Sequence, residues 1–115
     1  MLPYKRSQRV ADLLRQEIAD IIMRRLKDPR IGFVTVTGVD LTDDLKIARV
    51  YISCLKDGER ETTLEILNLA RSFVRSEVGK RIRMKVLPSI EFRIDESQGY
   101  GDRIDRLLKD LKEKS

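Results

Sequence analysis

Histidine and tryptophan are absent from this 115-residue chain, and Cys54 is its only cysteine. No intrachain disulfide can form, and no Ser-His or Cys-His nucleophile pair, imidazole base or imidazole metal ligand is available. With three Phe and three Tyr, an extended base-stacking platform is not expected. No apolar run approaches the roughly 20 residues of a membrane helix, so no membrane partner is expected. The segment Met1–Arg6 has basic residues without an apolar stretch behind them, unlike a secretory signal. Asp43-Asp44 looks like a carboxylate pair, but a turn accounts for it and no helper residue is visible. The expectation is a non-enzyme with no catalytic residue, cofactor or metal, in a reducing, cytoplasmic setting.

What the chain has in abundance is charge. Charged residues make up 37% and apolar residues 41%, enough for one core in one small domain. Lys and Arg number 24 against 19 Asp and Glu, and the excess is segregated. Residues 1–30 hold eight basic and four acidic residues, and residues 71–85 hold six and one. The remaining stretches, 31–70 and 86–115, are acidic by three charges and one. Segregation of this kind favours a polyanion partner over a uniformly solvated, charge-rich surface.

Periodicity organises the chain. Val10, Leu13, Leu14, Ile18, Ile21, Ile22 and Leu26 predict a helix from Ser7 to Lys27, ended by Asp28-Pro29. Alternation predicts strands at Ile31–Val39 and Leu45–Leu55, joined as a hairpin through Leu41–Asp44. Thr62 and Glu65 form a capping-box pattern ahead of a second stripe: Ile66, Leu67, Ala70, Phe73, Val74, Val78 and Ile82. That stripe reads as one helix to Arg83, with Ser72 and Gly79 as weak points. A third strand is expected at Val86–Asp95, with Pro88 near its start or on an edge. A short, charged helix is expected over Asp102–Lys114. The fold class is α+β: a three-stranded sheet with helices on one face, residues 1–98 forming the domain and 99–115 a tail.

Candidate phosphate contacts follow from the two basic blocks. Arg71 and Arg75 lie one turn apart, beside the inward Val74, Val78 and Ile82, and should point outward. Lys80, Arg81, Arg83 and Lys85 gather toward the expected helix C-terminus, where the dipole also favours cations. Lys5, Arg6 and Arg9 sit at a helix start, where the dipole disfavours them, and so suggest an arm reaching a backbone. For Arg24, Arg25, Lys27 and Arg30, dipole complementation and solvation weigh as much as RNA contact. Packing under a helix is the expected fate of Tyr51, and a buried structural thiol that of Cys54.

The wording of the chain is more specific than its periodicity. Asp28-Pro29-Arg30-Ile31-Gly32-Phe33-Val34-Thr35-Val36-Thr37, Asp44-Leu45 and Ala48-Arg49-Val50-Tyr51-Ile52-Ser53 resemble the ribosome-binding factor A family. So do Arg75, Gly79, Arg83, Pro88, Phe92, Asp95-Glu96-Ser97, Gly101-Asp102-Arg103-Ile104 and Leu107-Leu108. The resemblance runs from about Tyr4 to Leu111. It implies a KH-like domain of the bacterial arrangement, with the second helical segment split in two. It further implies a non-enzymatic factor that binds the small ribosomal subunit and assists late maturation of 16S rRNA, particularly near its 5′ end, and growth in the cold. Ribosomal proteins are further implied partners, and a monomer is the default. Members carry an Ala-x-Gly kink in place of a Gly-x-x-Gly loop. Here Ala70-Arg71-Ser72 occupies that place, with serine for glycine, and Ser72 joins the candidate RNA-binding residues on this ground. The competing expectation is a general KH-like RNA or DNA binder without a ribosomal role.

Overall fold

A bulge sets the register of the sheet. In the computed structural model, which describes residues 6–26 and 28–96, β1 (Val34–Leu41) pairs antiparallel with β2 (Ile47–Cys54). Val36 faces Ile52 and Gly38 faces Tyr51, leaving Thr37 as the extra residue. The insertion shifts the alternation by one, so Val36 and Leu41 both point to the core although they are five positions apart, an odd offset. Thr37 Oγ1 donates to the Tyr51 carbonyl at 3.3 Å, which ties the bulge down. Strict period-two reading stops the strand at Val39; the bulge carries it to Leu41.

The hairpin turn is closed by side chains. Thr42 Oγ1 donates to Asp44 Oδ1 at 2.6 Å, and Asp44 Oδ1 accepts from the Lys46 N–H at 3.1 Å. Leu45 adopts φ 62, the one left-handed non-glycine residue among those described. Its side chain packs against the core, which compensates part of the backbone cost.

The third strand, β3 (Ser89–Ile94), lies parallel to β2, so the sheet order is β1-β2-β3. A parallel neighbour requires a crossover, and two helices supply it, α2 (Arg60–Leu69) and α3 (Arg71–Arg81), after a 3-10 turn at Asp57–Glu59. The first helix, α1 (Arg6–Arg24), packs across β1 and along α3. All three helices cover the face formed by Ala48, Val50, Ile52, Ile90 and Phe92. This is the α-β-β-α-α-β order that the resemblance implied. The expected tail helix and the 99–115 segment lie outside the described residues.

Five local expectations are corrected. The Thr62/Glu65 capping box does not form, because α2 starts earlier, with Glu59 as an N-cap that makes no side-chain bond. The single long helix is broken at Ala70, whose ψ of 4 ends α2. Its N–H is shared by the Ile66 and Leu67 carbonyls, while its own carbonyl accepts from Val74. The break lets α2 lie against β3 while α3 turns back along α1, so one apolar stripe serves two directions. It also leaves Leu69 exposed and Phe73, expected to be inward, 40% exposed. Cys54 is half-buried rather than fully enclosed, and burial pushes its thiol pKa up. Tyr51 does not lie under a helix: it alternates with Val50 and Ile52 and faces away from the core.

The free edge of β3 is covered by one side chain. Asn68 Oδ1 accepts the Phe92 N–H at 3.0 Å, and Asn68 Nδ2 donates to the Phe92 carbonyl at 3.2 Å. The carboxamide thus stands in for a missing strand.

Candidate nucleic-acid interface

The basic residues of the two predicted blocks separate into two groups in the structure. Some hold the fold together. α1 and α3 run antiparallel, and their seam is stitched by charge. Arg81 Nη1 donates to Asp20 Oδ2 at 2.6 Å and to Glu17 Oε2 at 3.1 Å. Asp20 is also paired with Arg24 at 2.7 Å. The Arg81 hydrogen bond is the main reason the Asp20 carboxyl is held below its ordinary pKa. Further along, Glu77 is 6% exposed and is shared between Lys80 at 3.3 Å and Arg25 at 3.6 Å. Arg75 is drawn in as well: its Nε donates to the Pro88 carbonyl and its Nη2 to the Leu87 carbonyl, at 3.2 and 3.1 Å. It clamps the segment entering β3, where proline supplies no N–H of its own.

The others lie exposed at the surface. Arg83 was expected to end the helix, with Lys85 just past it, yet α3 ends at Arg81 and Ile82 turns to an extended conformation, φ −123 and ψ 128. Both cations therefore sit on the connection to β3, exposed, with no carboxylate at ion-pair distance among the described residues. They flank a surface concavity of about 430 Å³ lined also by Gly79, Ile82, Met84 and Leu87. Arg71 and Ser72 are exposed at the start of α3, and Arg71 lies within electrostatic reach of Glu91. Arg6 and Arg9 are exposed on the first turn of α1, which holds no acidic residue. Lys5 lies outside the described residues.

Two features go beyond what alternation within single strands and helices predicts. The first is the outer sheet face, where Arg49, Tyr51, Glu91 and Arg93 are register neighbours. Arg93 holds Glu91 below its ordinary pKa, with Arg49 and then Arg71 adding to the effect. The second is the turn after α1. Asp28 Oδ1 accepts the Arg30 backbone N–H at 2.9 Å and its Nε at 3.0 Å, and Asp28 Oδ2 accepts Nη2 at 2.7 Å. These bonds hold the Asp28 pKa at about 2, below the ordinary 3.8. A depressed carboxylate pKa contributes stability that is fully present above 3.8 and is lost as pH falls toward 2. In Asp28→Asn, the acid limb of urea midpoints measured over that window is expected to be shallower than in the parent protein. Superimposable limbs would show that the turn is not coupled to folding.

Comparison with known proteins places these features in context. The sequence profile of the family described as ribosome-binding factor A matches residues 6–108. A ribosome-binding factor A from Thermodesulfovibrio yellowstonii is 56% identical over 115 residues, spanning 100% of this chain and 98% of the relative. The solution structure of a Thermotoga maritima protein described as a putative ribosome binding factor A aligns with TM-score 0.74 and 35% identity, over 84% of this chain and 93% of that one. The crystal structure of the Thermus thermophilus ribosome-binding factor A gives TM-score 0.71 and 28% identity, over 79% and 97%. A homology model of the Thermus thermophilus protein, fitted into a cryo-electron microscopy map of its complex with the 30S subunit, gives TM-score 0.68 and 28% identity over 78% and 96%.

Proposed function

Because the chain belongs to the ribosome-binding factor A family, we propose that it binds the small ribosomal subunit and assists late maturation of 16S rRNA. The observation that carries this reading is the 30S complex of the Thermus thermophilus relative, whose fold is shared over 78% of this chain. The basic residues exposed at the surface supply the chemistry. Arg71, Arg83 and Lys85, with Arg6 and Arg9 on α1, present guanidinium and ammonium donors to phosphate, which orient the protein without reading sequence. Selectivity comes from the shape of folded RNA and from ribosomal protein surface. Binding favours one conformation of an immature RNA region, and that differential affinity drives the change. On this reading the protein acts as a monomer in the cytoplasm, without turnover or cofactor, close to the 5′ end of 16S rRNA, and supports growth in the cold.

Gradient sedimentation of the purified full chain with free small subunits tests the reading. Co-migration with subunits, and none with bare single-stranded RNA of equal phosphate concentration, is the expected result. Equal retention by bare strands would identify a general RNA binder and overturn it.

A further inference from the structure

A pocket of about 540 Å³ opens where the C-terminal end of α1 meets the N-terminal end of α3. Its lining is Arg25, Leu26, Asp28, Pro29, Arg30 and Phe73. We propose that this pocket takes an unstacked nucleobase of rRNA, held against the Phe73 ring and a fixed guanidinium plane. The proposal deepens the RNA-binding reading above and rests on it.

Three observations converge. Phe73 is 40% exposed although it belongs to the apolar stripe, because the break at Ala70 turns it out of the core and into the pocket rim. Beside it, Arg30 is immobilised by the three bonds to Asp28, and Arg25 is anchored on buried Glu77. Two of the five side-chain N–H donors of Arg30 go to Asp28, leaving three to reach base edges. A ring, a planar cation and the apolar surfaces of Leu26 and Pro29 are the groups that stack and enclose a splayed-out base. The charge balance points the same way. Asp28 and Glu77 offset Arg30 and Arg25, and Glu65 also acts on Arg30, so the slot is near neutral. It suits a neutral base better than a phosphate, while Arg83 and Lys85, beyond the far end of α3, draw the backbone. A second concavity with an aromatic in its lining, at half-buried Tyr51, is rimmed by Asp95 and Glu96 and is less suited to a polyanion.

Two measurements on the full chain test the proposal. In NMR titrations, adenosine 5′-monophosphate is expected to shift the Phe73 ring and Arg30 Nε resonances, and ribose 5-phosphate is expected to leave them in place. For free small subunits, Phe73→Leu is expected to raise Kd about tenfold, and Phe73→Tyr, which keeps the ring, to leave it near the parent value. Equal shifts with ribose 5-phosphate would make this a phosphate site and overturn the proposal. Parent-like subunit binding by a folded Phe73→Leu protein would also overturn it. A third overturning result is photo-crosslinking that joins Phe73 to a ribosomal protein instead of a nucleotide. Failure of the parent chain to bind subunits would instead remove the assembly-factor reading, leaving the nucleotide titration to judge the pocket alone.

Discussion

Asn68→Ala is expected to lower the unfolding free energy by about 2–4 kcal/mol, because it strips both partners from the Phe92 backbone at the free edge of β3. The ring of Phe92 is 2% exposed, and its N–H and carbonyl are part-buried under α2. A part-buried peptide group that loses its partner suffers a desolvation penalty of roughly 1–3 kcal/mol, and here two groups lose theirs together. Asn68→Asp separates the two bonds. A carboxylate still accepts from the Phe92 N–H but cannot donate to the carbonyl, and it places two acceptors face to face. The aspartate variant is therefore expected to be no more stable than the alanine one at neutral pH. Urea unfolding followed by circular dichroism reads both effects. A loss within about 0.5 kcal/mol for Asn68→Ala would mean that water replaces the carboxamide on this edge.

Reversing charge at Arg83 and Lys85 together is expected to weaken subunit binding about a hundredfold at low salt, with little change in melting temperature. Both side chains are exposed beyond the end of α3, with no ion-pair carboxylate among the described residues, so removing them breaks nothing in the fold. Two lost phosphate contacts should also flatten the logarithmic salt dependence by about 1.5, at roughly 0.7–0.9 per phosphate. Parent-like affinity with an unchanged slope would exclude the α3–β3 connection from the interface. Arg75 and Arg81 are unsuited to the same experiment. One clamps the Leu87 and Pro88 carbonyls and the other joins α3 to α1, so their loss mixes folding with binding.

The division of labour among these arginines shows what a one-dimensional pattern carries. Helical spacing correctly put Arg71 and Arg75 on one outward face of α3. It could not say that the segment entering β3 would pass beneath Arg75, because that contact joins residues 12 and 13 apart across a loop. Likewise Arg81 meets carboxylates 61 and 64 residues away. Asn68 carried no signal at all: it is a polar residue on a helix until a strand edge arrives beside it. Phe73 was misread for a related reason. Its place in the stripe is correct for a continuous helix, and the break at Ala70 rotates it outward.

Composition and periodicity were sufficient for the α+β class, the hairpin, the identities of the core residues on β2 and β3, and the concentration of positive charge in two segments. These follow from burial of apolar side chains at periods of 2 and 3.6, a local property of the chain. The family wording added the split helix and the ribosomal reading. Packing alone assigned the bulge at Thr37, the outward face of Tyr51, the cover on β3 and the division of cations between those tied into the fold and those exposed at the surface. Each of these depends on which distant backbone or carboxylate arrives next to a residue, and that neighbour is selected by the collapse of the whole domain.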